Sequence, residues 1–345
     1  MPSGAGPLRI GARMSPLARA QAELVADLLV ARGVRSTFVG VTTTGDLDRR
    51  QLTVIGGTGV FVGAVREALM ADTIDVAVHS LKDLPTTPAD GLEMAAIPPR
   101  EDVRDVLIGR RLADLTDGTT IGTGAPRRAL QLEDYARQHD LDLKVMPIRG
   151  NVDTRLGLVR SGQLDAVVLA AAGLRRLGHL GASVDVGRAV AEVTEVTEVT
   201  ELPAEVLSES VMLPAPGQGA LGLEMRIGSV SAEAAAVRAL DDPRARAEVA
   251  VERAFLAALE AGCTAPVGAR AVVKSVRGTS LDLTLTAVIG KTLLSNSSGP
   301  TKSGYPLRVE RSGSTDDPAL FGADAAGHVL SELQEMPRSR PQRRG

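Results

Sequence analysis

The chain has 345 residues, with 39 basic against 42 acidic side chains, a net charge of −3, and 44% hydrophobic but only 2% aromatic residues. This near balance excludes the basic surface of a nucleic-acid binder, and the lack of an apolar run of about 18 residues excludes a membrane-spanning helix. A single cysteine excludes an intrachain disulfide and any multi-cysteine metal site, and the length implies two or three domains around aliphatic cores.

Met1 to Leu8 has no basic start followed by an apolar stretch, so no signal peptide and a cytoplasmic location are expected. Leu8 to Ala12 reads as a short strand ending in a glycine turn. Ser15-Pro16 then opens a helix, with serine as cap and proline at the first position. Its apolar face is expected to include Leu17, Leu24, Leu28 and Leu29. Val34 to Thr43 reads as the next strand, Gly63 to Met70 as a helix, Ile74 to His79 as a buried strand and Leu92 to Ile97 as another. Further on, Ile121-Gly122-Thr123 with Pro126 and Gln131 repeats the pattern of Ile10-Gly11-Ala12 with Ser15-Pro16 and Gln21. Leu164-Asp165-Ala166-Val167-Val168 likewise repeats Ile74-Asp75-Val76-Ala77-Val78. The chain therefore reads as two similar α/β halves in series, facing each other across a cleft at their strand ends.

Val193 to Glu201 repeats Val-Thr-Glu three times and is expected on the surface as strand or loop. Leu213 to Gly219 reads as a rigid proline- and glycine-rich hinge. Pro243 to Ala261 reads as a helix, and Ala269 to Ile289 as strands turning near Arg277-Gly278. Ser295 to Gly304 reads as a polar loop, Ala319 to Leu333 as a final helix, and Met336 to Gly345 as a disordered basic tail.

Arginines gather at the expected strand ends: Arg13, then Arg127 and Arg128, then Arg149 and Arg155, then Arg175 and Arg176. Helix N-termini attract anions and guanidinium forks hold carboxylates in pairs, so the set suits a polyanion, either phosphate or carboxylate. Any one of them alone reads first as a solvated surface residue. In His79-Ser80-Leu81-Lys82-Asp83-Leu84-Pro85 an apolar strand runs directly into polar groups. Asp83 suits an acid, a base or a cation stabiliser, and equally a turn residue before proline. Cys263 follows a helix-terminating glycine, where the dipole disfavours a thiolate. It suits an anchor alkylated once, or an inert loop cysteine. The four histidines have no metal-ligand spacing, and no metal is expected.

Taken in order, several segments resemble the hydroxymethylbilane synthase (porphobilinogen deaminase) family. They are Arg9-Ile10-Gly11 with Arg13 and Ser15-Pro16-Leu17-Ala18, Thr44-Gly45-Asp46, Asp75 to Pro85, Arg149-Gly150-Asn151 with Thr154-Arg155, Ala172-Gly173-Leu174, Leu213 to Ala220, and Gly262-Cys263 with Pro266 and Gly268. The resemblance runs from Leu8 to about Leu333. It implies an α/β fold in which two periplasmic-binding-protein-like domains form a cleft, residues 7–101 plus 208–225 and residues 102–207. A small α+β C-terminal domain of residues 226–335 carries Cys263.

It also implies a dipyrromethane cofactor joined to Cys263 by a thioether, and a monomer that condenses four porphobilinogen molecules head to tail. Ammonia leaves at each addition, and water releases hydroxymethylbilane. By position, Asp83 would be catalytic. Cys263, Lys82, Ser80, Arg127, Arg128, Asp46, Thr123 and Gly124 would hold the cofactor. Arg13, Ser15, Arg149, Arg155 and Arg176 would hold substrate. The chain departs from the family where Gly124-Ala125 replaces a usual Ser-Ser pair, and at Thr58 and Val54, where lysine is common. The residues alone also leave open a solute-binding or ligand-sensing module, and the departures leave open a weakly active paralogue.

Overall fold

The computed structural model describes residues 6–42, 59–181, 195–261, 265–290 and 306–335. Asp46, Thr58, Val54, Cys263, the Ser295 to Gly304 loop and the tail from Met336 lie outside the described residues. The first domain alternates strand and helix: β1 (Leu8–Arg13), α1 (Pro16–Val30), β2 (Ser36–Val41), α2 (Gly59–Met70), β3 (Val76–Ser80) and β4 (Leu92–Ala96). The second contains β5 (Asp105–Ile108), β6 (Thr120–Thr123), α3 (Pro126–Gln138), β7 (Lys144–Pro147), α4 (Val152–Arg160), β8 (Ala166–Ala170), α5 (Ala171–Arg176), β9 (Glu195–Val199) and β10 (Leu202–Val206). The chain then returns through β11 (Leu221–Arg226), which enters the first sheet between β3 and β4. That sheet has the order β2-β1-β3-β11-β4, and the second has β7-β6-β8-β5-β10-β9.

The internal repeat has a steric basis. β1 pairs in parallel with β3, and β6 in parallel with β8. A side chain on Gly11 would collide with Ile74, and one on Gly122 would collide with Leu164. Asp75 accepts the backbone N–H of Arg9 at 2.8 Å, and Asp165 accepts that of Thr120 at 2.9 Å. In each half a glycine admits the bulky residue that precedes the neighbouring strand, and an aspartate then closes the strand edge. The two halves thus use one packing rule, which sets β1 and β3 against each other in the same way as β6 and β8.

Helix α1 is capped as expected, with the Ala18 N–H donating to the Ser15 hydroxyl. Its buried face matches the expected one at Leu29, with Leu28 packed against the same core, and departs from it at Leu24. Gln21, Ala22, Val25 and Leu29 are buried, whereas Leu24 is 41% exposed. The buried stripe Ala22-Val25-Leu29 keeps helical spacing and lies slightly round the helix from Leu24.

The remaining elements are α6 (Ala232–Arg238), α7 (Pro243–Ala258), β12 (Val267–Arg277), β13 (Ser280–Ile289), β14 (Leu307–Thr315) and α8 (Pro318–Glu335). Helix α6 was expected in the third domain. Instead Ala234, Val237 and Leu240 share a core with Leu221, Leu223 and Met225 of the first sheet, so the apolar boundary falls after Leu240. The third domain is the antiparallel sheet β12-β13-β14 backed by α7 and α8, with Val251, Phe255, Leu283, Leu285 and Ala326 inside. The turn at Gly278, φ +62°, lies where the sequence placed it. No helix among the described residues is long and apolar enough to cross a membrane.

Two segments cross between the first two sheets, residues 97–104 and 207–220, and α7 holds both. The fully buried Glu252 receives two hydrogen bonds of 2.8 Å from Arg100 on the first segment and one of 2.7 Å from the Gly217 N–H on the second. The Ala271 N–H of β12 donates to it at 2.9 Å.

Candidate active site

Strand β3 delivers the polar residues of the cleft. Val76, Ala77 and Val78 are buried in the middle of the first sheet, and the strand ends in one tight turn, Leu81–Asp83. Leu81 is buried, Lys82 is half-buried and Asp83 is exposed. The Lys82 ammonium donates to Gln218 Oε1 at 3.2 Å. Gln218 lies in the second crossing segment, and its amide nitrogen donates to Asp105 Oδ1 at 2.8 Å and to the Val103 carbonyl at 2.7 Å. Asp105 opens the second domain's β5. Arg127 and Arg128, in the first turn of α3, donate to its two oxygens at 2.8 and 2.7 Å. A continuous polar chain therefore joins the first domain to the second beneath the cleft.

The electrostatics follow from this packing. Burial alone would push the Asp105 carboxyl up, but the two guanidiniums and the Lys82 ammonium hold it well below the usual carboxylate range. Burial pushes Lys82 down to about 8, against the pull of Asp83 and Asp105, so it remains largely a cation at neutral pH. Burial also lowers Arg155, which feels the repulsion of Arg128 and the attraction of Asp83. Lys82, Asp83, Arg128 and Arg155 thus share one field.

Removing Asp105 should be costly. Asp105→Ala leaves two buried guanidiniums without their counter-charge, an expected loss of about 3–5 kcal/mol. A lower urea midpoint measures it; an unchanged midpoint would refute the role given to Asp105.

The other expected residues lie around this centre. Arg13, Ser15, Ser80 and Asp83 line one pocket with Leu17, His79 and Val62, about 270 Å³ in volume. Ser15 already accepts a hydrogen bond as helix cap. Thr123 is buried, and its hydroxyl accepts the Ala125 N–H at 3.2 Å. Gly124 is exposed beside Arg155. A Cβ there would lie 2.8 Å from the Ile148 carbonyl oxygen and 3.5 Å from Arg155 Nη2, so glycine lets the two loops approach. Arg149 is exposed in the following loop, where Asn151 caps α4 through the Thr154 N–H. Arg176 donates to the Gly219 carbonyl at 2.7 Å, whereas Arg175 pairs with Asp102.

Arg127 and Arg128 differ from the open forks that their position suggests. Their outer nitrogens serve Asp105 and the carbonyls of Leu213 and Val168. The Nε atoms of Arg127, Arg128, Arg155 and Arg176 are buried without a hydrogen-bond partner among the described residues. Buried donors normally find acceptors. A cluster with a surplus of guanidinium donors and a partly desolvated ammonium gives a field that suits a multiply carboxylated ligand. Among the described residues no group of three or more His, Cys, Asp or Glu side chains could hold a metal. Sequence reasoning assigned no role to Asp105 or to Gln218, which was noticed only as part of a hinge. Their partners are distant in the chain and meet only in the fold.

Beside the turn, Glu224 on β11 takes a bidentate pair from Arg66 at 2.9 and 2.6 Å and lies 3.1 Å from His79 Nε2. Burial favours its neutral form, but His79 and Arg66 outweigh that and hold it at about 2. A depressed carboxyl stabilises the fold above its unfolded pKa, and that contribution is lost as pH falls from about 4.5 to about 2. Glu224→Gln should therefore flatten the decline of stability over this window, by on the order of 3 kcal/mol. Urea titrations at stepped pH check this, and parallel curves for the two proteins would contradict it.

Comparison with known proteins gives a consistent result. The family model described as "Porphobilinogen deaminase, dipyromethane cofactor binding domain" matches residues 8–234, and "Porphobilinogen deaminase, C-terminal domain" matches residues 246–298. Porphobilinogen deaminase 1 of Streptomyces coelicolor is 50% identical over 289 residues, covering 83% of this chain and 84% of that protein. The porphobilinogen deaminase of Thermobifida fusca is 47% identical over 269 residues, 77% of each chain. Among solved structures, the methionine binding protein MetQ aligns with a TM-score of 0.38 at 10% identity, covering 68% of this chain and 89% of that one. On the match to two consecutive family models and the identity to these relatives, the chain belongs to the porphobilinogen deaminase family.

Proposed function

We propose that this chain condenses porphobilinogen head to tail into hydroxymethylbilane, in the cytoplasm and as a monomer, on a dipyrromethane cofactor attached to Cys263. The observation that carries the reading is Asp83 on a tight turn at the cleft, in one electrostatic field with Lys82, Arg128 and Arg155. A bound dipyrromethane supplies the free pyrrole α-carbon to which the first substrate is joined. Its acetate and propionate groups suit Lys82 and the positive charge of Arg127 and Arg128, with Ser80, Thr123, Gly124 and Asp46 alongside.

The reaction sets clear tasks for the protein. In porphobilinogen the bond from the aminomethyl carbon to nitrogen breaks and ammonia leaves. A carbon–carbon bond forms to the waiting α-carbon, which gives up a proton. After four additions the methylene of the first ring added parts from the carbon it was joined to, that carbon takes back a proton, and water supplies the hydroxyl to the freed methylene. Loss of ammonia leaves a delocalised cation on the substrate-derived ring, and the Asp83 carboxylate lowers the energy of that charge and accepts pyrrole N–H bonds. Arg13, Arg149, Arg155 and Arg176 hold the side-chain carboxylates, with the Ser15 hydroxyl assisting. Bidentate pairing fixes ring orientation as well as position.

Intact mass of the purified protein, together with product analysis from porphobilinogen, tests the reading. The expected result is an adduct of two linked pyrroles with formation of a linear tetrapyrrole. Active protein with the bare polypeptide mass would overturn the tether, and loaded protein that releases no ammonia would overturn the reaction.

A further inference from the structure

The turn bearing Lys82 and Asp83 is held from a direction that the reaction does not require. Arg253 lies on α7, in the third domain, one residue after the Glu252 that binds both crossing segments. Its Nη1 donates to the carbonyls of Leu81 at 3.1 Å and Leu84 at 2.8 Å, and its Nη2 to the carbonyl of Pro85 at 2.5 Å. The Leu81 N–H is in turn fixed by the Ala220 carbonyl at 3.1 Å, and the Leu84 N–H closes back on the Leu81 carbonyl at 3.2 Å. Val249, one turn earlier on α7, packs with Leu81 and Leu84 in a single apolar cluster. The backbone on both sides of Asp83 is therefore pinned to one face of one helix. The same helix ends at Ala258 and leads through the buried Ala261 toward Cys263.

We infer that Arg253 is a positioning residue for Asp83, fixing the orientation of the catalytic turn against α7 of the third domain. The inference rests on the proposed condensation for its catalytic consequence, but the clamp itself is a separate physical claim. A guanidinium is needed because three carbonyls converge from different angles on a planar fork, whereas an ammonium is a point donor on a flexible stem. With the clamp removed, the turn keeps its sequence and its apolar anchor but loses its orientation. A carboxylate displaced by about 1 Å from a developing charge costs on the order of 10²-fold in rate.

The test uses full-length holoenzyme with Arg253→Met and Arg253→Lys. Amide hydrogen exchange across residues 80–86 reads the clamp, and kcat and KM for porphobilinogen read its consequence. Arg253→Met is expected to speed exchange in this segment, keep the two-pyrrole adduct, and lower kcat about 10²-fold with KM close to the parent value. Arg253→Lys is expected to recover part of both. Unchanged exchange in residues 80–86 would overturn the clamp. Faster exchange with kcat unchanged, or with a kcat loss no larger than the loss of folded protein, would overturn the positioning role. If the parent protein makes no tetrapyrrole, the proposed function fails, and the exchange result still decides the clamp.

Discussion

Asp83→Asn is expected to lower kcat by about 10²–10³-fold while the protein still carries its two-pyrrole adduct. Asparagine matches aspartate in size and keeps an oxygen to accept a pyrrole N–H, so the turn Leu81–Asp83 should persist, held by Leu81 in its apolar cluster and by Arg253 behind. Only the charge is lost. That charge is what a cation formed by loss of ammonia requires, and the neighbours worsen the deficit. Arg155 and Lys82 share the field of Asp83, so without the carboxylate the substrate cation would form among like charges. Loading needs one slow event per protein molecule, whereas turnover needs the same stabilisation at every addition. Steady-state kinetics with intact mass on the same sample measures both. A fully active Asp83→Asn enzyme would remove Asp83 from the mechanism.

Cys263→Ser is expected to give a protein of bare polypeptide mass with turnover reduced to background. Cys263 lies outside the described residues, but both sides of its segment are anchored. Ala261 is buried in the third-domain core, and Ala265 packs partly against it before β12 begins. On the sequence reading the thiol sits just beyond a helix C-terminus, where a dipole would oppose a thiolate, and α7 itself ends at Ala258. Such a thiol is a poor repeating nucleophile but adequate for a single alkylation by a strong electrophile. A serine hydroxyl, with a far higher pKa, would not react at neutral pH. Retained activity in this variant would separate catalysis from a cysteine tether altogether.

Much of the site was legible in the sequence, because a local pattern carried it. The run Ile74 to His79 followed by polar residues gave a buried strand with a polar tip, and the structure places Lys82 and Asp83 on the turn just after β3. The matching Gly11 and Gly122 announced the repeat, for a reason visible only in the fold, where Ile74 and Leu164 fill the space they leave. What the sequence hid was pairing at a distance. Asp105 and Gln218 are 113 residues apart, and neither position carries a local sign of the other. The arginine pair at 127 and 128 was legible as charge but not as charge already committed to Asp105. On α1 the leucine pattern gave Leu29 and Leu28 correctly but not Leu24, since the core also takes Gln21, Ala22 and Val25 on the neighbouring stripe.

Glu252 gives the third domain a mechanical meaning. A carboxylate shared by Arg100 and the Gly217 amide works as a pin: both segments that pass between the lobes bear on one fixed point supplied by the third domain. Removing α7 would cost both segments that shared point and would open the apolar cluster of Leu81 and Leu84 to water. The hold on the two lobes and the hold on the Leu81–Asp83 turn are thereby built into one helix, and neither can be inherited without the other.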